Sequence, residues 1–173
     1  GRDGERWSRN LLEVFGQSAN CKEGYDCYSA RQLLKEVYLD SDTDAAVVSA
    51  LWGAHGSNPT PTDYAAEARA ITEEAQGRDR CLIHGGVMPN EPGGLERMEE
   101  QVRVHGVADW KLYPQWGPDG TGYHMDDPVG IAFIERAREL GLTIVTAHRG
   151  LPLPGLEYEY SKPGDIARVA AAY

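Results

Sequence analysis

Only three of the 173 residues are cysteine, only two are phenylalanine, and 17 basic side chains face 27 acidic ones. Each shortage excludes something. Cys21, Cys27 and Cys81 are odd in number and contain no Cys-x-x-Cys, so neither a disulfide framework nor a zinc knuckle is expected. Unpaired cysteines in a reduced, cytoplasmic setting are the reading that follows. A formal charge of −10 leaves no basic footprint for nucleic acid or for an anionic membrane surface. The longest mainly apolar run, Ala45 to Ala54, falls well short of the roughly 20 residues a spanning helix needs. The opening GRDGERWSRN holds no apolar run, so no secretory signal is expected from it. Also missing are GxGxxG, GxxxxGK[ST], GxSxG and the deaminase HxE…PCxxC, which removes the nucleotide loop, the nucleophile elbow and base deamination from the sequence-level possibilities. The partner left is a small-molecule substrate, and self-association is compatible with all of this.

What is present is globular in proportion, with 41% apolar and 25% charged residues. Four short runs rich in Val, Ile and Leu read as strands: Asp44 to Leu51, Arg80 to Gly86, Val107 to Pro114 and Leu142 to His148. Nearly continuous apolar runs of this kind mark parallel strands. Helix signals fill the gaps. Ser29 and Gln32 form a capping-box pattern before Leu33, Leu34, Val37 and Tyr38, and Thr62 precedes a stripe of Tyr64, Ala65, Ala68, Ile71 and Ala75 that Gly77 should end. Pro92 should start a third helix that stops at Gly106, and Asp127 with Pro128 a fourth that stops at Gly141. A last helix near Ser161 and Pro163 carries Ile166, Val169, Ala170 and Tyr173 at helical spacing.

Regular alternation of helix and strand predicts repeated right-handed βα units on a parallel sheet. Four strands amount to half of a (β/α)8 barrel, which needs about 250 residues, or to most of a small doubly wound sheet. The missing Met and the apolar stripe that reaches Tyr173 predict an excerpt of a longer protein. The domain reading is one incomplete unit over 1–173, with 1–28 a leading segment and 29–173 the βα repeats.

Reactive groups of a parallel α/β sheet collect beyond the carboxyl ends of its strands. Those positions hold Trp52 and His55, then His84 with Gly85 and Gly86, then Lys111, Tyr113 and Trp116, then His148 and Arg149. His105 is explained by the dipole at a helix carboxyl end, and His124 by a solvated polar loop. Lys111 stands out, because a lysine among the apolar residues of an inner strand needs an anionic partner, a carboxylate of the protein or of a substrate. Trp52, Trp110, Tyr113 and Trp116 suit either a pocket for a flat substrate or rim packing.

The stretches DWKLYPQWGP, MDDP, a helix ending in ARELGL, TIVTAHRGLPLP and SKPGDIARVAAAY, which run from Asp109 to Tyr173, together resemble the amidohydrolase-related family, in the branch that includes aminocarboxymuconate semialdehyde decarboxylase. AVVSALWG and RCLIHGGVMP fit its strands two and three by position. The resemblance implies a partial (β/α)8 TIM-type barrel, strands two to five with flanking helices. It also implies a mononuclear divalent metal, zinc first, held in that family by a His-x-His on strand one, a His on strand five and an Asp on strand eight. His148 matches the strand-five ligand, and the chain contains no His-x-His. Binuclear relatives use a carbamylated lysine on strand four, but this branch does not, so Lys111 is read as a partner for a substrate carboxylate, alongside His84, Trp116 and Arg149. The expected activity is metal-dependent hydrolysis of a small carboxylate or carbonyl substrate by metal-activated water, the excerpt alone being inactive. Decarboxylation by the same machinery is the first alternative. A metal-free lactonase-type barrel in which His148 and Arg149 bind an acidic substrate, and a non-enzymatic α/β binding module, complete the set.

Overall fold

The computed structural model describes residues 29–49, 62–77, 80–118, 120–150 and 157–173. Strands β1 (Ala46–Ser49), β2 (Cys81–Gly85), β3 (Asp109–Leu112) and β4 (Val145–Ala147) form one sheet in the order β1-β2-β3-β4, every pair parallel. The helices are α1 (Ala30–Leu34, widened into a π-type turn over Lys35–Leu39), α2 (Thr62–Gln76), α3 (Glu96–Glu100, widened over Gln101–His105), α4 (Pro128–Glu139) and α5 (Gly164–Ala172). Among the described residues no helix is long and apolar enough to cross a membrane.

A sheet whose strands follow one another in sequence order, joined by right-handed crossovers, carries its helices on one face. A doubly wound sheet reverses direction and covers both. The burial pattern obeys the first rule. Val48, Ile83, Trp110 and Leu112 point into the helical layer and are buried with Ala65, Met98, Phe133 and Ala137. Their neighbours on the opposite face, Val47 and Leu82, stay 45% and 42% exposed. Among the described residues the sheet is singly wound, with one face packed by helices and the other face open.

The predicted punctuation is largely present. Ser29 Oγ accepts the Gln32 amide at 3.2 Å, although the Gln32 side chain turns forward to Glu36 instead of back to Ser29, so only half of the capping box forms. Gly77, Gly106 and Gly141 end α2, α3 and α4 with φ of 90°, 57° and 81°. The start of α3 falls later than the expected Pro92, because Gly93 takes φ of 76° and holds the preceding residues in turns. Cys81 is buried and unpaired, and burial pushes its thiol pKa up. Cys21, Cys27, Trp52 and His55 lie outside the described residues.

The end of β2 is fixed by a buried amide. Gln101 Oε1 accepts the Gly86 amide at 2.9 Å and the Thr62 hydroxyl at 3.2 Å, while Gln101 Nε2 donates to the Gly86 carbonyl at 2.8 Å. This one side chain stands in for a strand partner. Gly85 is required beside it, since a Cβ there would sit 2.6 Å from the Trp110 ring. Gln101→Ala orphans both Gly86 groups and is expected to cost about 1–3 kcal/mol in urea unfolding. Thr62→Val removes only one donor and should cost less.

Candidate functional site

Side chains alternate across a strand, and the register decides which of them stand abreast. Ser49 lies opposite His84, and His84 opposite Asp109. Two residues further along β3, Lys111 lies opposite Thr146. The open face therefore carries Val47 and Leu82 at its lower end, then the row Ser49, His84 and Asp109, then Lys111 and Thr146. Tyr113 and His148 follow at the carboxyl ends of β3 and β4. Apolar character gives way to polar character toward the end of the sheet where parallel folds place their chemistry.

Tyr113 organises the upper part of this face. Its ring stacks on Trp116 at 4.6 Å and 16°, and on the His148 imidazole at 5.4 Å and 26°. The Lys111 Nζ lies 5.1 Å from the centre of the same ring, within cation–π range. Burial lowers the Lys111 pKa below the ordinary lysine value and raises that of the Tyr113 phenol. A desolvated ammonium beside an aromatic wall favours an incoming carboxylate more than a hydrated one does. Trp116 is only 1% exposed, so it backs Tyr113 and offers little surface of its own.

The lower row makes close polar contacts across strands, a hydrogen bond from β1 to β2 and an ion contact from β2 to β3. Ser49 Oγ and His84 Nδ1 are 2.6 Å apart, and His84 Nε2 lies 3.0 Å from Asp109 Oδ1. Of the residues singled out in the sequence, His84, Lys111 and His148 share the open face, with Trp116 behind them. Arg149 belongs elsewhere. Its guanidinium forms a two-pronged pair with Asp165, with Nε 3.3 Å from Oδ1 and Nη2 in closer contact with Oδ2, and Nη1 donates to the His148 carbonyl at 3.0 Å. Ser49 and Asp109 are not among the strand-end candidates, because the sequence carries the first strand on to Leu51 with Trp52 and His55 beyond it. Alternation backward from Lys111 reaches Asp109, and that was the available signal.

A second group, His124, Asp126 and Asp165, brings three potential ligand atoms within 4.8 Å of one another. His124 is partly buried against Tyr160 and Asp165, not a freely solvated loop residue. Both carboxylates already have cations: Asp165 holds Arg149, and Asp126 holds Arg168, which keeps the Asp126 carboxyl below its ordinary range. Two guanidiniums in place argue against a divalent ion between them. As for zinc, the His148 imidazole fits as one ligand at a strand end, and a tetrahedral site takes three or four protein ligands. Among the described residues no group of three ligand types includes His148.

An apolar groove of about 850 Å³ runs between α4, the outer edge of β4 and α5, lined by Ile134, Ala137, Leu142, Ile166 and Val169. It contains Arg149 but not His84, Lys111 or His148. Comparison with family models, with curated proteins and with solved structures gives no match to this chain.

Proposed function

We propose that this chain supplies strands two to five of a (β/α)8 barrel that acts on a small carboxylate or carbonyl substrate as a metal-dependent hydrolase of the amidohydrolase type. The observation that carries the reading is the meeting of Lys111, Tyr113 and His148 at the carboxyl ends of adjacent parallel strands, on the open face of a singly wound sheet. Such a face is the interior of a barrel once further strands close it.

In this reading Lys111 grips the substrate carboxylate, and burial sharpens that preference by removing competing water. Tyr113, braced by Trp116, presents a flat wall against which a planar substrate lies. His148 contributes one ligand to a divalent metal, zinc first, with the remaining ligands from residues outside those described. When bound, such a metal lowers the pKa of its water and polarises a carbonyl. Carboxyl loss from the same grip is the alternative outcome, in which Lys111 would still hold the substrate and a bound metal would supply polarisation of a neighbouring carbonyl.

The test of the grip is direct binding. Titration calorimetry of the chain with benzoate and with succinate should show binding of at least one, and Lys111→Met should weaken it by roughly 10–100-fold, the value of one charge-assisted contact. Equal affinity in Lys111→Met, or no binding of either probe by the unsubstituted chain, overturns the role given to Lys111. Thermal unfolding monitors the variant, and a methionine of similar length keeps the packing against Tyr113.

A further inference from the structure

The row Ser49–His84–Asp109 has a chemistry of its own that needs neither Lys111 nor His148. We propose that Ser49 is a nucleophile, His84 its general base and Asp109 the carboxylate that positions the imidazole, together hydrolysing small acyl esters and lactones without a metal. The three side chains come from three adjacent strands and are set abreast by the register of the sheet. Ser49 is the last described residue of β1, His84 lies one residue from the end of β2 and Asp109 opens β3, so the row stands on the open face just below Lys111, Tyr113 and His148.

The geometry specifies the roles. Ser49 Oγ is 2.6 Å from His84 Nδ1, the separation expected of a nucleophile and its base. On the far side of the ring, Nε2 lies 3.0 Å from the buried Asp109 Oδ1, a close ion contact rather than an aligned hydrogen bond. An imidazole with one N–H can carry it on either nitrogen, and in the proposed triad it sits on Nε2, the nitrogen beside the carboxylate. Nδ1 is then a lone pair facing the serine hydroxyl. The same arrangement on unrelated folds is recognised by geometry and role, not by position in the sequence.

The reaction follows without a further reagent. Ser49 Oγ adds to the carbonyl carbon of an ester as its proton passes to His84 Nδ1. The carbon–oxygen bond to the leaving group then breaks, and the imidazolium returns the proton to that oxygen, releasing an alcohol and leaving an acyl-serine. Water, deprotonated by the same Nδ1, adds to the acyl carbon. Its collapse expels Ser49 oxygen, which takes back the proton, and frees the carboxylic acid. In a lactone the alcohol stays attached, and the product is a hydroxy acid.

The experiment uses the full 173-residue chain in EDTA, with a fluorophosphonate probe and with p-nitrophenyl acetate. Intact mass should show one adduct per chain, peptide mapping should place it on Ser49 while Ser41 and Ser161 stay unmodified, and nitrophenolate should appear in a burst. Ser49→Ala should abolish the adduct, and His84→Gln should slow labelling by about 10²–10⁴-fold. Asp109→Asn should slow it comparably and, in nitrogen NMR of the imidazole, move the proton from Nε2 to Nδ1, with thermal stability little changed. A row that serves only to tie strands together would lower stability in these variants and leave the unsubstituted chain unlabelled. An unlabelled Ser49 in the folded, unsubstituted chain overturns the proposal, and so does labelling that EDTA suppresses. Because the unsubstituted chain decides first, misfolding of a variant does not rescue the idea. Failure of carboxylate binding at Lys111 would leave this result untouched.

Discussion

His148→Ala is expected to lower the affinity of the protein for zinc by at least about 100-fold, since a lost ligand costs more than the loss of an outer-shell partner. Equilibrium dialysis against zinc chloride with metal analysis of the retained protein reads this without any substrate. His105→Ala is the comparison, because His105 ends α3 in the outer helical layer and should leave zinc binding unchanged. His124→Ala is the informative rival. If zinc instead enters the His124, Asp126 and Asp165 group, that variant loses the metal and His148→Ala keeps it. Arg149 and Arg168 argue for the opposite result, as each already neutralises one of the two carboxylates. Full zinc retention in His148→Ala removes His148 from the ligand set.

Among the described elements, α2, α3 and α4 are the most legible because each is announced twice, by an apolar period and by a glycine stop. Gly106 shows why this works: its left-handed φ is open to glycine at little steric cost, so its place after Val102 and Val104 marks the end of α3. The sheet order is not announced in the same way. Half a barrel and a small doubly wound sheet share the same alternation of strand and helix, and they differ only in whether successive strands add to one edge. That difference is visible in which alternate residues are covered. Val47 and Leu82 are as apolar as Val48 and Ile83, and only pairing and helix placement leave the first two open.

The site was legible where it depends on strand ends and obscure where it depends on register. His84, Lys111 and His148 each follow or close an apolar run, and they share a face. The serine at 49 looks like an ordinary small residue within Val-Val-Ser-Ala, and the aspartate at 109 like a loop residue before a strand. Their significance lies in standing opposite His84 on its two sides, a fact about pairing between segments 35 and 25 residues away from it. Arg149 misled in the converse way. It follows the histidine of β4 directly, but its long side chain runs to a carboxylate 16 residues further along the chain.

That carboxylate makes Asp165 the residue whose neutralisation should cost most in stability. Its side chain has no exposed surface and sits in the first turn of α5, where a negative charge also meets the positive end of the helix. It accepts the Met125 amide at 2.7 Å, which ties the loop before α4 to α5, and it holds both Nε and Nη2 of Arg149. Asp165→Asn preserves the shape but strands a guanidinium whose side chain is only 10% exposed. Removing one partner of a buried pair costs about 3–5 kcal/mol, because the other charge stays behind without compensation. For a chain of this size that corresponds to a fall in Tm of roughly 10 °C, readable by circular dichroism. Removing both charges should be milder. Arg149→Met combined with Asp165→Asn is expected to recover a large part of the loss, since burying two neutral groups avoids the desolvation that a lone ion suffers. Asp126→Asn tests the contrast, as Arg168 is 63% exposed and keeps its hydration when its partner is lost. A Tm for Asp165→Asn equal to that of the unsubstituted chain would mean that Arg149 escapes to solvent, and it would return that guanidinium to the list of groups able to meet an acidic substrate.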